Sequence, residues 1–430
     1  MGTAGDPRPS LYSQCKRLLE ASDTFLNLLL HVRSLPESGD EFEEERILAT
    51  LRLLSFVRDI DVEPLYLRYV HSLVQVQLGA RNYTEAALSL VRLYADRLPW
   101  RVDGPKLPAA PALGFPQAQS SFERRETLLL RALALATEGQ AWELGMSIAR
   151  DLAHQYAHTV YDYGRLAGML RTEATLAERI VTQERFPCVY FRVAYWGTGF
   201  PQGLRGRQYI CRGRPWEQLG AFCERLQRRH PAARLLRSSG APSEHVRQGG
   251  GGAQYVQVTV VAPEPDKPEA LSILSKGDFV PPAIAAYWER NEVRRFAYSR
   301  PFRRLEATGT GGLLDVWTER TTLYTEDPFP SVLRRAEVVR VEIRELSPLE
   351  NAVEAVQERN RELRGMERKY GAHLVLGPDA AEGDLGKVQG VVNCHPLTMT
   401  LNAAVNPVPH AGGAMMYREA FLSRRYVLAN

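Results

Sequence analysis

The spacing of apolar residues changes twice along the chain, and this change limits the fold more than any other feature. Up to about residue 184, apolar residues recur at intervals of three and four, as on one face of a helix. From Pro187 the interval becomes two, so that Val189, Phe191 and Val193 alternate with other residues. This interval is typical of a strand with one buried face. After about residue 346 the helical interval returns.

These intervals predict an α+β chain of several lobes with a fixed order. An N-terminal helical-repeat lobe is expected over 1–184, a central antiparallel β lobe over 185–346, and a C-terminal helical bundle lobe over 347–430. Within the first lobe, the segments "LGARNYTEAALSL" and "TEGQAWELGMSIA" look like two copies of one helical hairpin. Stacked hairpins of this kind form surfaces for other proteins or for self-association.

The last lobe has a clear start and an interruption. Ser347 is an N-cap candidate with proline at the next position and Glu350 three residues after the cap, which is the pattern of a capping box. Two prolines and a glycine pair then interrupt a helical pattern between Asn406 and Gly413. Because proline removes a helical hydrogen bond, we expect a non-helical bulge between two half-helices there.

Composition excludes some classes and indicates a compartment. Lys and Arg number 54 against 50 Asp and Glu, which gives a net charge of +4 over 430 residues and does not predict binding to nucleic acid. The longest apolar runs fall well short of the ~20 residues that span a bilayer. The five cysteines lie far apart, as in a reduced cytoplasmic protein; they are Cys15, Cys188, Cys211, Cys223 and Cys394.

Searches for residues that carry chemistry find little. His154 and His158 share a helix face at the spacing of zinc ligands, but a third ligand and the glutamate of a metalloprotease are missing. Gly197 and Gly199 follow a strand without the remaining spacing of a dinucleotide fingerprint. The sequence therefore predicts no cofactor, no metal site and no covalent chemistry.

The stretch from Arg205 to Arg237 is strongly basic. It contains nine arginines and, as acidic residues, Glu217 and Glu224. The favoured interpretation is a solvated face of the protein. The alternative is a surface that binds an acidic protein or an anionic membrane.

Several segments together resemble the catalytic DOCKER domain of the dedicator-of-cytokinesis (DOCK) family of guanine-nucleotide exchange factors. They occur in the order of that family and extend over most of the chain. The segments are "RVAYWGTGFPQGLRGRQYICRG" (192–213), "NEVRRFAYSRPF" (291–302), "VWTERT" (316–321), "LSPLENAVE" (346–354) and "LNAAVNPVPHAGG" (401–413).

The resemblance implies a function and a set of site residues. The first lobe would form a homodimer, the β lobe would contact a Rho-family GTPase, and the last lobe would carry the exchange centre. Val405 matches the valine that acts as nucleotide sensor, expelling Mg²⁺ and GDP. The Gly-Phe-Pro-x-x-Leu-Arg pattern at 199–205 is most like the Rac-directed branch. The expected GTPase-binding residues are Asn402, Asn406, Pro407, Met399, Phe200, Leu204 and Arg205.

The sequence also departs from the family pattern. Ala403, Asn406 and His410 replace residues that the pattern leads us to expect, and the resemblance implies a further helix after residue 430, so the last lobe is expected to be truncated. The alternative is therefore a dimerising scaffold whose exchange lobe is degraded and inactive. The resemblance further implies an ELMO-type adaptor, bound through regions outside this sequence, and recruitment from the cytoplasm to the plasma membrane.

Overall fold

The computed structural model describes residues 11–36, 42–183, 185, 188–248, 251–264, 286–303 and 316–354. The described residues up to 183 are mainly helical, as predicted, and their α-helices pack one after another around a shared apolar core. They are α1 (Leu11–Ser34), α2 (Glu43–Asp59), α3 (Glu63–Gly79), α4 (Tyr83–Leu93), α5 (Ser121–Glu138), α6 (Trp142–His158) and α7 (Tyr163–Thr182).

Strands dominate after residue 187, again as predicted, so the α+β class is confirmed. The strands are β1 (Cys188–Trp196), β2 (Gln208–Pro215), β3 (Ala233–Leu236), β4 (Gln254–Glu264), β5 (Val293–Arg303), β6 (Val316–Phe329) and β7 (Arg335–Leu346). Two helices that the apolar spacing did not reveal lie between them, α8 (Leu219–Arg229) and α9 (Glu244–Gln248). The side chains of Phe222 and Leu226, one helical turn apart on α8, are buried.

The two hairpins of the helical region have the same turn. The amide of Arg81 donates to the carbonyl of Leu78, and the equivalent amide of Gln140 donates to Thr137. Arg81 and Gln140 are the residues with left-handed backbone, at φ 59° and 54°. Gly139 is needed for a different reason: a Cβ there would lie 2.7 Å from Oγ1 of Thr84. The close approach of two helices, rather than the backbone angle, therefore requires this glycine.

Contacts divide the chain into two compact units, and β4 and β7 each contribute to both. The first unit comprises Met1–Arg237, Ser243–Val258 and Asp327–Glu337; the second comprises Ser238–Pro242, Thr259–Glu326 and Val338–Asn430. The two boundaries between the three predicted lobes, at 184 and 346, stay predictions.

In the first unit, β1 pairs with β2 in antiparallel register, with Phe191 opposite Cys211. The other edge of β2 meets the start of β7, where Ile210 lies opposite Ala336. The short strand β3 runs parallel to the start of β4, an exception to the predicted antiparallel arrangement. The 17 residues between these strands, which include α9, are enough for the crossover that a parallel pair requires.

In the second unit, β4 continues beside β5 and a long antiparallel pair joins β6 to β7. The register of that pair runs from Thr318 opposite Leu346 to Thr325 opposite Val338. A helix then begins at Pro348, and Ser347 and Glu350 form the predicted capping box: the Glu350 amide donates to Oγ of Ser347 at 3.3 Å, and the Ser347 amide donates to the Glu350 carboxylate at 2.9 Å.

The predicted C-terminal helical bundle lies outside the described residues, apart from the helix that begins at Pro348 and is described to Glu354. Within the part of the chain that the structure describes, no helix has the length and apolar character needed to cross a bilayer.

Candidate functional site

The loop between β1 and β2, residues 197–207, contains the predicted site residues that the structure describes. It begins with two glycines that pack directly on the segment before β4. A Cβ at Gly197 would lie 2.3 Å from the carbonyl oxygen of Ala253, and one at Gly199 would lie 2.1 Å from that of Gly252. Both positions therefore require glycine for a close backbone approach, which is a structural role and not a phosphate-binding one.

Backbone hydrogen bonds close this loop and fix its path. The amide of Gly199 donates to the Ala253 carbonyl at 3.1 Å, and the amide of Gly206 donates to the Tyr195 carbonyl at 2.8 Å. Inside the loop, the Arg205 guanidinium donates to the carbonyl of Thr198 at 2.7 Å. The loop is therefore ordered by its own polar groups at both ends.

Three aromatic rings pack together on the buried side of the loop. Phe200, at 2% exposure, meets Tyr195 edge to face with ring centres 5.2 Å apart. The ring of His230, which follows α8, lies 5.5 Å from Phe200 and 5.6 Å from Tyr195, also edge to face. Such arrangements are the favourable geometry for aromatic pairs. They fix where the loop leaves β1.

His230 is uncharged at neutral pH in this environment. Burial lowers the pKa of its imidazole to about 4, and the neighbouring charges of Arg229 and Arg335 act in the same direction. A neutral ring packs against Tyr195 and Phe200 without the cost of burying a charge. The histidine thus serves as an aromatic packing group.

The outer side of the loop is accessible. Pro201, Gln202, Gly203 and Arg205 are exposed, and Leu204 is half-buried. Two of the three predicted GTPase contacts here, Leu204 and Arg205, therefore have side-chain surface that a partner can contact. Phe200 is different, because a ring at 2% exposure presents almost no surface to a partner. Its contribution in this structure is to shape the loop that carries the other two.

The basic stretch from Arg205 to Arg237 is not the surface that its composition suggested. Arg229, with a side chain 8% exposed, donates to the Glu44 carboxylate at 2.7 Å and pairs with Glu45. Arg212, 17% exposed, pairs with the buried Glu85 at 2.6 Å. All three carboxylates belong to helices of the first 100 residues. Arg212 thus joins strand β2, and Arg229 joins helix α8, to the N-terminal helices.

The remaining arginines of the stretch divide between paired and exposed positions. Arg207 pairs with Glu337, Arg214 lies 3.9 Å from Glu43, and Arg225 pairs with Glu217. Arg228 is exposed beside Glu224 on α8, while Arg205, Arg234 and Arg237 are also exposed. Both the solvated-face interpretation and the binding-surface alternative are therefore wrong for the buried members, Arg212 and Arg229, because their charges are used inside the protein.

Burial and charge act in opposite directions on Glu85. Burial alone would raise the pKa of this carboxyl, but the charges of Arg212 and Arg334 outweigh it and lower the pKa below its ordinary value. The carboxylate therefore stays ionised, as the pair with Arg212 requires. Sequence reasoning missed Glu44 and Glu85, although the run Glu43-Glu44-Glu45 was a signal that carboxylates were available for the arginines.

The other predicted site residues lie outside the described residues: Met399, Asn402, Val405, Asn406 and Pro407. The structure does describe the two histidines of α6, which are exposed with ring centres 4.7 Å apart. Within the described ranges, no three His, Cys, Asp or Glu side chains come together as metal ligands.

Comparison with known proteins gives the same family as the sequence patterns. A family model described as "DHR-2, Lobe B" matches residues 244–328. Dedicator of cytokinesis protein 3 of Mus musculus is 34% identical over 390 residues, which covers 90% of this chain and 18% of that protein.

Two further relatives match nearly the whole chain. Dedicator of cytokinesis protein 4 of Homo sapiens is 32% identical, covering 98% of this chain and 20% of that protein. DOCK-like protein 1 of Saccharomyces cerevisiae is 26% identical, covering 96% of this chain and 20% of that protein. The chain thus spans about a fifth of the length of these curated relatives.

Proposed function

Because this chain belongs to the dedicator-of-cytokinesis family and contains its DHR-2 (DOCKER) region, we propose that it is a guanine-nucleotide exchange factor for a Rho-family GTPase. The observation that carries the proposal is the match to relatives at 31–34% identity over 90% or more of the chain. The loop at 197–207 is accessible on its outer side and packs on aromatic rings on its inner side. It supports the proposal because a preorganised loop is suited to bind a partner.

We further propose that the GTPase is Rac-like. This choice rests on the Gly-Phe-Pro-x-x-Leu-Arg pattern at 199–205, in which Leu204 and Arg205 reach the surface and Phe200 sets the loop. Arg205 supplies a positive charge and Leu204 an apolar contact. A panel of GTPases that includes Rac and Rho members tests this choice directly.

The proposed mechanism requires no covalent step. A GTPase holds GDP largely through phosphate charge that Mg²⁺ neutralises, and through ordered switch loops. The stiff, branched side chain of Val405 offers the ion no oxygen ligand. Placed beside the ion, it would favour loss of Mg²⁺ and then of GDP, whose phosphates are left unneutralised. By reciprocity, returning nucleotide and Mg²⁺ would weaken the complex and release the exchange factor.

Release of fluorescent GDP from GTPases of the Rho family tests the function. We expect the chain to accelerate release from a Rac-like GTPase, and Val405→Ala to slow it strongly while still binding the nucleotide-free GTPase. Val102→Ala is the matched control, since it removes the same two methyl groups from a side chain 48% exposed elsewhere. A Val405→Ala protein that exchanges nucleotide as fast as the parent would show that the sensor is misassigned.

A second pair of variants tests the loop as a binding surface. Arg205→Ala should raise the GTPase concentration needed for half-maximal release, with little effect on the maximal rate. Arg234→Ala removes another exposed arginine of the same basic stretch and should leave both values unchanged. An equal effect of the two variants would indicate general charge attraction instead of a specific contact.

The departures at Ala403, Asn406 and His410 favour one competing function, a scaffold with an inactive exchange lobe. Both functions include self-association of the helical lobe into a homodimer and a cytoplasmic location with recruitment to the plasma membrane. They differ in the exchange assay. Binding of the nucleotide-free GTPase in a pull-down assay, without any acceleration of GDP release across the whole panel, would favour the scaffold.

A further inference from the structure

Glu44, in the first turn of α2, holds two arginines that come from distant parts of the chain. One carboxylate oxygen accepts a hydrogen bond from Nη1 of Arg229 at 2.7 Å, and the other lies 3.5 Å from Nε of Arg335. Both arginine side chains are 8% exposed. The contact with Arg335 is an ion pair without a hydrogen bond, and Arg229 also pairs with Glu45. A buried charge that loses a partner is costly, so the Glu44 carboxylate stabilises the position of both guanidinium groups.

Arg335 connects Glu44 to the tip of the β1–β2 loop, at Gly203, through the ring of Tyr209. Its guanidinium carbon lies 4.9 Å from the centre of the Tyr209 ring, a cation–π distance. The hydroxyl oxygen of Tyr209 in turn lies 3.5 Å from the carbonyl oxygen of Gly203, in the exposed part of the loop. A displacement of Arg335 is therefore expected to weaken the contact between Tyr209 and Gly203.

Arg229 connects Glu44 to the first half of the β1–β2 loop, at Phe200. It is followed by His230, whose ring contacts Phe200 and Tyr195. Phe200 lies in the first half of the loop, four residues after the end of β1. The segment from Phe200 to Gly203 is thus supported at both ends through arginines that pair with Glu44, and Arg229 pairs with Glu45 as well.

We propose that Glu44 is a positioning residue that sets the conformation of the β1–β2 loop through Arg229 and Arg335. The proposal rests on the proposed function only in that this loop contacts the GTPase; the positioning itself does not depend on exchange activity. The directional, charge-assisted bond from Arg229 suits this role because it defines one geometry, and the ion pair with Arg335 adds electrostatic attraction.

The charge on Glu44 is present under ordinary conditions. Burial acts to raise the pKa of this carboxyl, but the charges of Arg335 and Arg229 outweigh it and hold the pKa below its ordinary value. The position at the start of a helix adds a favourable interaction with the helix dipole. The loop should therefore keep its conformation throughout the neutral pH range.

Hydrogen exchange of the loop amides tests the proposal without any GTPase. The amides of Gly199, Leu204 and Gly206 all donate hydrogen bonds, so their exchange is slowed in the parent protein. Glu44→Gln keeps the shape of the side chain but removes its charge. We expect the loop amides to exchange about 10-fold faster in this variant, because Arg229 and Arg335 would then hold the loop less firmly.

Glu126→Gln is the matched control. The Glu126 carboxylate is 12% exposed and also holds two partners, Arg165 at 2.8 Å and the Tyr156 hydroxyl at 2.6 Å, but these connect helices of the N-terminal region. This variant should lower the melting temperature by a similar amount and leave the loop amides unchanged. Equal loop exchange in Glu44→Gln and the parent, or equal acceleration in both variants, would overturn the proposal.

Exchange kinetics provide the second measurement. With a responsive GTPase, Glu44→Gln should raise KM about 5-fold and change kcat less than about 2-fold, since the loop binds the partner and does not contact the nucleotide. If no GTPase responds, the proposed function fails while the amide measurement still decides the positioning. An unchanged KM together with faster amide exchange would show that the loop is positioned by Glu44 but is not a GTPase contact.

Arg335→Lys covers the case in which Glu44→Gln does not fold. Lysine keeps a positive charge beside Glu44 but lacks the planar group that stacks on Tyr209. We expect faster exchange at Leu204 and Gly206, near the tip, with Gly199 nearly unchanged. Unchanged exchange at all three amides in this variant would also contradict the proposal.

Discussion

Strand β1 and the second half of β7 have the same alternating sequence pattern and opposite environments. In β1, all residues from Tyr190 to Tyr195 are buried, including those that the alternation assigned to a solvent face. In β7, Val339 and Ile343 are 62% and 64% exposed, although the alternation assigned them to a buried face. An alternating pattern therefore identifies a strand but does not decide which of its faces is covered.

The difference follows from what packs on β1. On one face, the Phe191 ring stacks on Phe222 of α8 with centres 4.2 Å apart. On the other, Tyr190 meets the Phe329 ring at 5.5 Å. Arg192 is tolerated inside because it donates to Gln208 at 2.8 Å and to Gln257 at 3.2 Å. A strand buried on both faces can therefore contain a charged residue when polar side chains meet it.

The largest expected effect is the truncation of a ring on β1. Phe191→Ala removes a side chain at 0% exposure and leaves a cavity against Phe222. We expect the free energy of unfolding to fall by about 4 kcal/mol in urea denaturation followed by circular dichroism. A loss below about 1 kcal/mol would show that α8 does not cover this face in solution.

A smaller loss is expected when the buried ion pair of β2 is broken. Glu85→Gln leaves the Arg212 charge buried without its carboxylate, which should cost about 3 kcal/mol of unfolding free energy. The equivalent change on β7, Glu342→Gln, affects a pair whose side chains are 51% and 61% exposed, and should change the free energy of unfolding little. A double-mutant cycle with Arg212→Met that shows no coupling would contradict the buried pair.

The pH dependence of stability is expected to show the burial of His230. Its folded pKa of about 4 lies below the ordinary value of 6.5, so between these values the unfolded chain binds more protons than the folded one. Stability should therefore fall as the pH drops from 6.5 towards 4. His230→Phe should lower the number of protons taken up on unfolding in this pH range by about one.

The parent protein, unfolded over the same pH range, is the reference for this measurement. The charged groups around the His230 ring are Arg229, Arg335 and Glu44. Identical curves for His230→Phe and the parent would mean that the imidazole is not shielded from water.

The smallest effect is expected on β7. Ile343→Ala removes an exposed side chain and should change the free energy of unfolding by less than about 0.5 kcal/mol. The same urea denaturation checks this value beside Phe191→Ala. A loss of 2 kcal/mol or more, on the scale of a buried isoleucine, would show that this face of β7 is covered in solution, and would remove the contrast with β1.

Much of the fold was predictable because it depends on neighbours in the sequence. The helices up to residue 183, the capping box at Ser347 and the strands β1, β4, β5 and β7 all follow from local spacing and turn residues. The helix α8 was missed because its apolar residues, Phe222 and Leu226, stand among arginines and give too short a periodic run. The parallel pairing of β3 was missed because four residues carry almost no pattern.

The loop at 197–207 was identified through its family pattern, and its role as a binding site stays a prediction. Arg205 is exposed and Leu204 half-buried in this loop. The burial of Phe200 could not be predicted, since the ring is covered by His230, which follows the strand β2 and the helix α8. Nothing within the loop itself indicates this cover.

The sequence by itself determined most of the helices, strands and turns, because steric and hydrogen-bonding preferences act over a few residues. Only the tertiary structure decided which charges are internal. Arg229 finds its carboxylate 185 residues away in the sequence, at the start of α2. The composition indicated only a basic stretch there, whereas in the structure Arg212 and Arg229 form internal ion pairs. A charge can be buried only where an opposite charge meets it, and that meeting depends on the whole fold.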